Sequence, residues 1–303
     1  MPSLNIYVEK NIDKCEKIWK YFSADTHLFD NWNYREYFHN AYHNKPYFIV
    51  GSVGKTLSGC IPLEYDSKEK EYRYFGDADG WNERNLFFIK NAGEAKNIFE
   101  KLFSQLPKKT VLRFVPQQKN IDLPSFSEEE ELGFHLEPKK FSYVVSEYIS
   151  TFSKLGKRNL RRVIRNIENA QYRVKLNNYS DMKWMIDTNL KRYGDDSSFI
   201  DAVLKESFLG LHKNKLISSF FSLVTVYHKG DIASVSLYGK YKKSFVYLTG
   251  STNYEYRDAG RYIDYLVIKT AFETKSDYID LLSGECGWKN HWRMESEKLF
   301  KFP

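Results

Sequence analysis

The run from Leu216 to Leu282 constrains this chain most. Leu216 to Tyr227 and Ile232 to Tyr238 are β-favouring stretches that pair across a His228-Lys229-Gly230-Asp231 turn. Ser244 to Gly250 supplies the next strand. Ala259 to Thr274 then carries helical spacing, with Ala259, Tyr262, Ile263, Leu266, Val267 and Ala271 as its apolar stripe. Tyr278 to Leu282 returns to strand. An antiparallel meander followed by a helix and a further strand admits few folds.

The segments before it predict helices over Lys157 to Ala170, Asp181 to Tyr193 and Phe199 to Lys213, with a strand over Tyr172 to Leu176. The first half runs in the same order. Helices are expected at Ile12 to Phe22 and Trp32 to Tyr42, then strands at Pro46 to Gly51, Leu57 to Tyr65 and Glu71 to Phe75. A helix over Ala92 to Leu106 follows, then a buried strand over Thr110 to Val115. Gln117 to Gly133 is polar, contains Pro124 and the acidic run Glu128 to Glu131, and reads as a linker. Phe141 to Val145 reads as strand. The expectation is a mixed α/β (α+β) chain of two domains, residues 1–145 and 146–303. Element order suggests an internal repeat, and two unrelated α+β domains fit the pattern nearly as well.

The chain has 303 residues, enough for two domains of ordinary size, and its 42% hydrophobic and 28% charged shares are those of a globular protein. The formal charge of +7 suits a polyanionic ligand, and it is also ordinary for this length. Cys15, Cys60 and Cys286 are odd in number and widely spaced, so they give neither a disulfide framework nor a zinc pattern. The seven histidines lack paired metal spacing, and no metal is expected. No apolar run reaches membrane-spanning length, and Met1 to Lys20 lacks a signal-type apolar core. These readings predict a cytoplasmic protein without integral membrane association.

Three segments can carry chemistry. From Lys154 to Arg165 no acid interrupts the chain. Leu160, Val163, Ile164 and Ile167 share one helical face, and Lys157, Arg158, Arg161, Arg162 and Arg165 fill the opposite one. The helix dipole would favour acids at that end, so the cations point to an anionic ligand, or else to a solvated face. Next, Gly250 ends a strand, a polar turn follows and a helix opens near Asp258. Gly260 leaves room for close approach, and Arg257 and Arg261 flank the position, as a phosphate site would require. The alternative is a plain Asp cap. The third segment is Gly284-Glu285-Cys286-Gly287-Trp288-Lys289-Asn290-His291-Trp292, after the strand ending at Leu282. Glu285 or His291 would serve as base, Lys289 as cation, and Tyr247, Trp288 and Trp292 as walls. Cys286 reads as a small buried residue, and the tryptophans read equally well as core. In the first half, Phe75-Gly76-Asp77-Ala78-Asp79-Gly80-Trp81-Asn82 could be a binding loop and is more safely read as a turn.

Taken in order, these segments resemble the tandem GNAT-type acyltransferases. They are most similar to the cellulose-biosynthesis (CelD/BcsL) acetyltransferase-like family, related to the FemAB aminoacyl transferases. Ser153 to Arg165 resembles that family's basic helix start, and Gly230-Asp231-Ile232-Ala233-Ser234 its Gly-x-x-Ala hairpin. Tyr254 to Gly260 resembles its turn-to-helix entry. Gly284 to Trp292, with Lys289 and Trp292 in place, resembles its closing motif. Arg257 and Gly260 fit a coenzyme-A loop, whereas Tyr262 stands where glycine or alanine is usual.

The resemblance implies two GNAT-like domains, each a mixed, mostly antiparallel sheet flanked by helices, with the C-terminal one active. It implies transfer of an acyl group from acetyl-CoA, another acyl-CoA or a related activated donor. The acceptor would be an amine or hydroxyl of a small molecule, sugar or peptide. Glu285 is the first candidate base and Asp79 the second, Lys289 balances charge, Trp81 is a further substrate contact, and Arg158, Arg161, Arg162, Arg257 and Arg261 with Gly260 hold donor phosphates. Two alternatives stay open. One is FemAB-like peptidyl transfer from aminoacyl-tRNA; the other is a non-catalytic binding protein for nucleic acid or another polyanion.

Overall fold

A computed structural model describes residues 4–90, 93–118, 121, 128–256, 258–284 and 287–302, apart from the Glu130 side chain. The chain divides into two compact units. The first comprises residues 1–25, 29–132 and 297–303, and the second residues 26–28 and 133–296.

In the first unit, β1 (Leu4–Glu9) precedes α1 (Ile12–Phe22) and α2 (Trp32–Ala41), and then come β2 (Lys45–Val53), β3 (Thr56–Asp66), β4 (Glu71–Tyr74), β5 (Phe88–Ile89), α3 (Ala95–Phe103) and β6 (Leu112–Pro116). The sheet order is β1-β2-β3-β4, with β5 also on β3, and every pair is antiparallel. Asn11 and Asn31 cap α1 and α2 through their side chains, so both helices start where the sequence places them. The core gathers Trp19, Trp32, Phe48, Phe75, Phe88 and Phe99. Gly59 lets α3 lie close on β3, since a Cβ there would meet Leu102 Cδ1 at 2.8 Å and Ile98 Cγ2 at 2.9 Å.

The acidic run expected in a linker is instead strand β7 (Glu128–Leu136). Four consecutive glutamates are poor strand formers by themselves. Here Lys301 reaches Glu128 at 3.1 Å and Lys298 reaches Glu129 at 2.8 Å, so cations from a distant strand balance them. Phe141 to Val145 is not a strand. A 3-10 turn covers Pro138–Phe141, Ser142 and Tyr143 take left-handed φ of 51° and 59°, and α4 (Val145–Ser150) follows. Two consecutive left-handed residues break an extended run.

The second unit continues with α5 (Lys154–Asn169), β8 (Tyr172–Leu176), α6 (Asp181–Tyr193), α7 (Ala202–Gly210), β9 (Phe221–His228), β10 (Asp231–Tyr241), β11 (Ser244–Thr252), α8 (Ala259–Glu273), β12 (Tyr278–Ser283) and the start of β13 (Glu295–Phe302). Its strands run β7-β12-β11-β10-β9-β8. Only β11 and β12 pair in parallel; the other described pairs in this unit are antiparallel. The first unit thus carries an antiparallel sheet and the second a mixed, mostly antiparallel one, both flanked by helices. The Ser251 hydroxyl bonds the Met185 carbonyl of α6 at 2.7 Å, while its neighbour Thr252 meets Gly260 of α8. Successive strand residues face opposite ways, so α6 and α8 cover opposite faces of the sheet.

Candidate active site

The parallel pair of β11 and β12 is short. It holds only at Ser244↔Tyr278, Phe245↔Ile279 and Val246↔Asp280, although β11 runs on to Thr252 and β12 to Ser283. Past Val246 the two strands separate and leave a gap in the sheet.

Each side of the gap has a local cause. On β12, Leu282 is left-handed (φ 60°), a conformation uncommon for a bulky side chain. Its N–H donates to Asp280 Oδ1 at 2.8 Å. The Lys289 ammonium donates to the Leu282 carbonyl at 3.0 Å and also to that of Ser283. Lys289 is only 4% exposed, so its charge holds this turn together.

On β11, the register against β10 passes from Leu237↔Thr249 to Tyr238↔Tyr247, so Leu248 is an extra residue, a β-bulge. The bulge changes which side chains share a face. Tyr247 and Gly250, three apart, now both face α8. The Tyr247 hydroxyl lies 2.7 Å from Ser236 Oγ and donates to Asp264 Oδ1 of α8 at 3.1 Å. A Cβ on Gly250 would stand 2.8 Å from both hydroxyl oxygens, so glycine is needed there. The Tyr247 ring also lies 5.6 Å from the Trp288 ring, which comes from the turn after β12. Tyr247 is therefore the first β11 residue past the last parallel pair, where the gap begins.

Asp264 keeps some accessible surface, but protein crowds its carboxyl. Burial raises its pKa to about 7, against hydrogen bonds from Tyr247 and Trp292 and the nearby Arg261 charge, which oppose the rise. Burial and the Asp264 charge together push the Tyr247 phenol well above its ordinary value.

Helix α8 starts at the end of β11. Gly260 permits this approach, because a Cβ there would meet Thr252 Oγ1 at 3.0 Å. The preceding Asp258 is left-handed (φ 71°) and gives α8 no side-chain cap. Its carboxylate turns to α5, accepting from Arg162 at 3.2 Å and Asn166 at 2.9 Å. The helix N-terminus, with its positive dipole end, thus lies beside the Arg162 and Arg261 guanidiniums. Desolvation, then the Arg162 charge, lowers the Arg261 pKa. Arg158, Arg161 and Arg165 are exposed on the outer face of α5, and no carboxylate among the described residues pairs with them. Ser153 caps α5, and its inner face buries Leu160, Val163 and Ile167.

The structure brings Trp288 beside Tyr247, sets Lys289 on the carbonyls of Leu282 and Ser283, and places Arg162, Gly260 and Arg261 at the head of α8. Trp292 is 1% exposed, with its backbone carbonyl bonded by Tyr148 and its indole bonded to Asp264. His291 is exposed. Asp79 and Trp81 lie in the first unit, where Asp79 pairs with Arg73 at 2.6 Å. Glu285, Cys286 and Arg257 lie outside the described residues. Among the described residues, His135, Glu137 and Glu295 are the one set that brings metal-type ligand atoms within 4.8 Å of one another. Lys140 already bonds Glu137 at 2.9 Å and Glu295 at 2.6 Å, so the set is an ion-pair cluster.

Sequence reading missed Asp264 and Ser236. A signal existed for the acid. Asp264, Val267, Ile268 and Ala271 fall at i, i+3, i+4 and i+7, and the last three are buried. Asp264 is a carboxylate on the buried stripe of its helix.

Residues 155–290 match the model of a family described as "Acetyltransferase (GNAT) domain". No curated protein matches the chain by sequence. Among solved structures, FemX superposes with a TM-score of 0.62 at 10% identity, covering 98% of this chain and 96% of that one. A tandem GNAT protein from the clavulanic acid biosynthesis pathway gives 0.55 at 8% identity, covering 99% and 98%. L-PGS from Bacillus licheniformis gives 0.51 at 7% identity, covering 97% and 91%. These likenesses extend over both halves of the chain. The chain has the tandem GNAT fold, and its residues 155–290 match the model of a GNAT acetyltransferase domain.

Proposed function

We propose that this chain is a cytoplasmic acyltransferase, with N-acyl transfer as its leading reaction. It moves an acyl group from an acyl-CoA or a related activated donor to an amine or hydroxyl of a small molecule, sugar or peptide. The gap between β11 and β12 carries this reading. A strand that has left its neighbour frees main-chain N–H groups to hold the oxygen of a reacting carbonyl. The head of α8 beside Arg162 and Arg261 supports donor phosphate binding next to that gap, and Arg158 and Arg161 extend the cationic surface. Arg257 is assigned to the same role. Tyr247, Trp288 and Trp292 wall the reacting groups, and Lys289 keeps the turn open. Glu285 is a proposed base.

The unpaired arginines of α5 favour one second reading, an aminoacyl-tRNA donor. Thermal shift separates the two, because a ligand of the native state raises the melting temperature. Stabilisation by acetyl-CoA or longer acyl-CoAs supports the first reading. Stabilisation by tRNA, falling steeply with added salt, supports the second. Neither reading survives if both ligand classes leave the melting temperature unchanged and no CoA thiol is released with a panel of amino sugars, amino acids and peptides.

A further inference from the structure

We propose that Tyr247 and Asp264 form a proton relay that serves the acceptor in the β11–β12 gap, with Tyr247 touching the acceptor and Asp264 acting through it. This rests on the acyl-transfer reading above and puts the relay, in place of Glu285, as the base.

The geometry sets the direction of the relay. Tyr247 donates to Asp264 Oδ1 at 3.1 Å, and Ser236 Oγ lies 2.7 Å from the same phenol oxygen. If Ser236 donates, the phenol oxygen has one acceptor position left. Tyr247 is the first β11 residue past the last parallel pair and its ring lies beside Trp288, whereas Asp264 projects from α8. A phenol whose own pKa is raised is a poor base alone. With a carboxylate at its back it passes a proton through without becoming charged.

The step balances. As the acceptor amine or hydroxyl attacks the donor carbonyl, its nitrogen or oxygen forms the new bond to carbon. Its proton moves to the Tyr247 oxygen while the Tyr247 proton moves to Asp264. The carbonyl–sulfur or carbonyl–oxygen bond of the donor then breaks, and the leaving group departs with that electron pair. Asp264 ends neutral and Tyr247 ends as the phenol it was. The groups facing Asp264 are Tyr247 from β11, Arg261 from its own helix and Trp292 from the stretch after β12. Burial outweighs all three and holds the carboxyl near neutrality, where it can both take and lose a proton.

The test is the pH dependence of CoA-thiol release from acetyl-CoA in the presence of the amino-sugar, amino-acid and peptide panel. The wild type should rise through one ionisation near pH 7. Tyr247→Phe should lose at least tenfold in kcat and lose that ionisation, with KM for acetyl-CoA little changed. Asp264→Asn should lose the same ionisation. Independently of any acceptor, infrared titration of wild type labelled with 13C at Asp carboxyls should show one carboxyl protonating near pH 7, absent in Asp264→Asn. If Asp264→Asn does not fold, Tyr247→Phe and the wild-type titration still decide. An active wild type whose profile is unchanged in Tyr247→Phe, or a titration without a carboxyl near pH 7, overturns the relay and leaves acyl transfer standing. A wild type that releases no thiol overturns both.

Discussion

The Asp258 carboxylate lies 3.2 Å from the Arg162 guanidinium, and it projects from a residue held at φ 71°. An acid at the head of a helix ordinarily caps its own backbone. This one ties α8 to α5 and leaves the head of α8 without a side-chain cap.

Separate substitutions resolve the two costs at Asp258. Asp258→Gly removes the tether and relaxes the left-handed backbone, whereas Asp258→Ala removes the tether and keeps the strain. The alanine variant should unfold at lower urea than the glycine variant, by about 1 kcal/mol. Equal midpoints would show that the φ carries no strain.

Gly250 makes room for the Tyr247 hydroxyl. Gly250→Ala places a methyl 2.8 Å from that oxygen and from Ser236 Oγ. The expected loss is ~1–3 kcal/mol of stability in urea unfolding, as for overpacked sites generally. The tyrosine near-UV dichroism should change with it. An unchanged midpoint would mean that the phenol moves aside freely.

Asp264 has a folded-state pKa of about 7 and a reference value of 3.8. Between those values the folded chain binds a proton that the unfolded chain has released. Its contribution to stability is therefore greatest at low pH and falls as pH rises toward 7. Asp264→Asn lacks this dependence. Calorimetry at pH 5, 6, 7 and 8 should find the asparagine variant gaining on wild type up to pH 7 and level above it. A constant difference would refute the raised pKa.

Lys289 bonds the carbonyls of Leu282 and Ser283 from a buried position. Lys289→Met leaves both acceptors without that donor, at a cost of ~1–3 kcal/mol. Hydrogen exchange should show faster opening around residues 280–284 than in β9 or β10. Uniform exchange in the variant would deny the lysine its local role.

What the sequence shows and what it conceals divide along range. The apolar stripe of α5, the β9–β10 turn and the bounds of α6 follow from spacing and local chemistry, and they are legible. The strand over Glu128 to Glu131 depends on Lys298 and Lys301, far along the chain, and no local pattern announces it. In the candidate site, Tyr247, Gly260 and Trp288 stand out by type and context. Asp264 does not, because its partners Tyr247 and Trp292 lie 17 and 28 positions away in opposite directions. The predicted stripe of α8 included Tyr262 and Leu266, which remain partly exposed, while Ile268 and Phe272 are buried. That small rotation turns Asp264 inward.

The turn at Leu282 has one further consequence. Asp280 and Lys289, which hold it, lie in the same short stretch as the leucine itself. The aperture is therefore a standing feature of the resting chain. On the proposed acyl-transfer reading, an arriving ligand would have no strand pairing to unzip there.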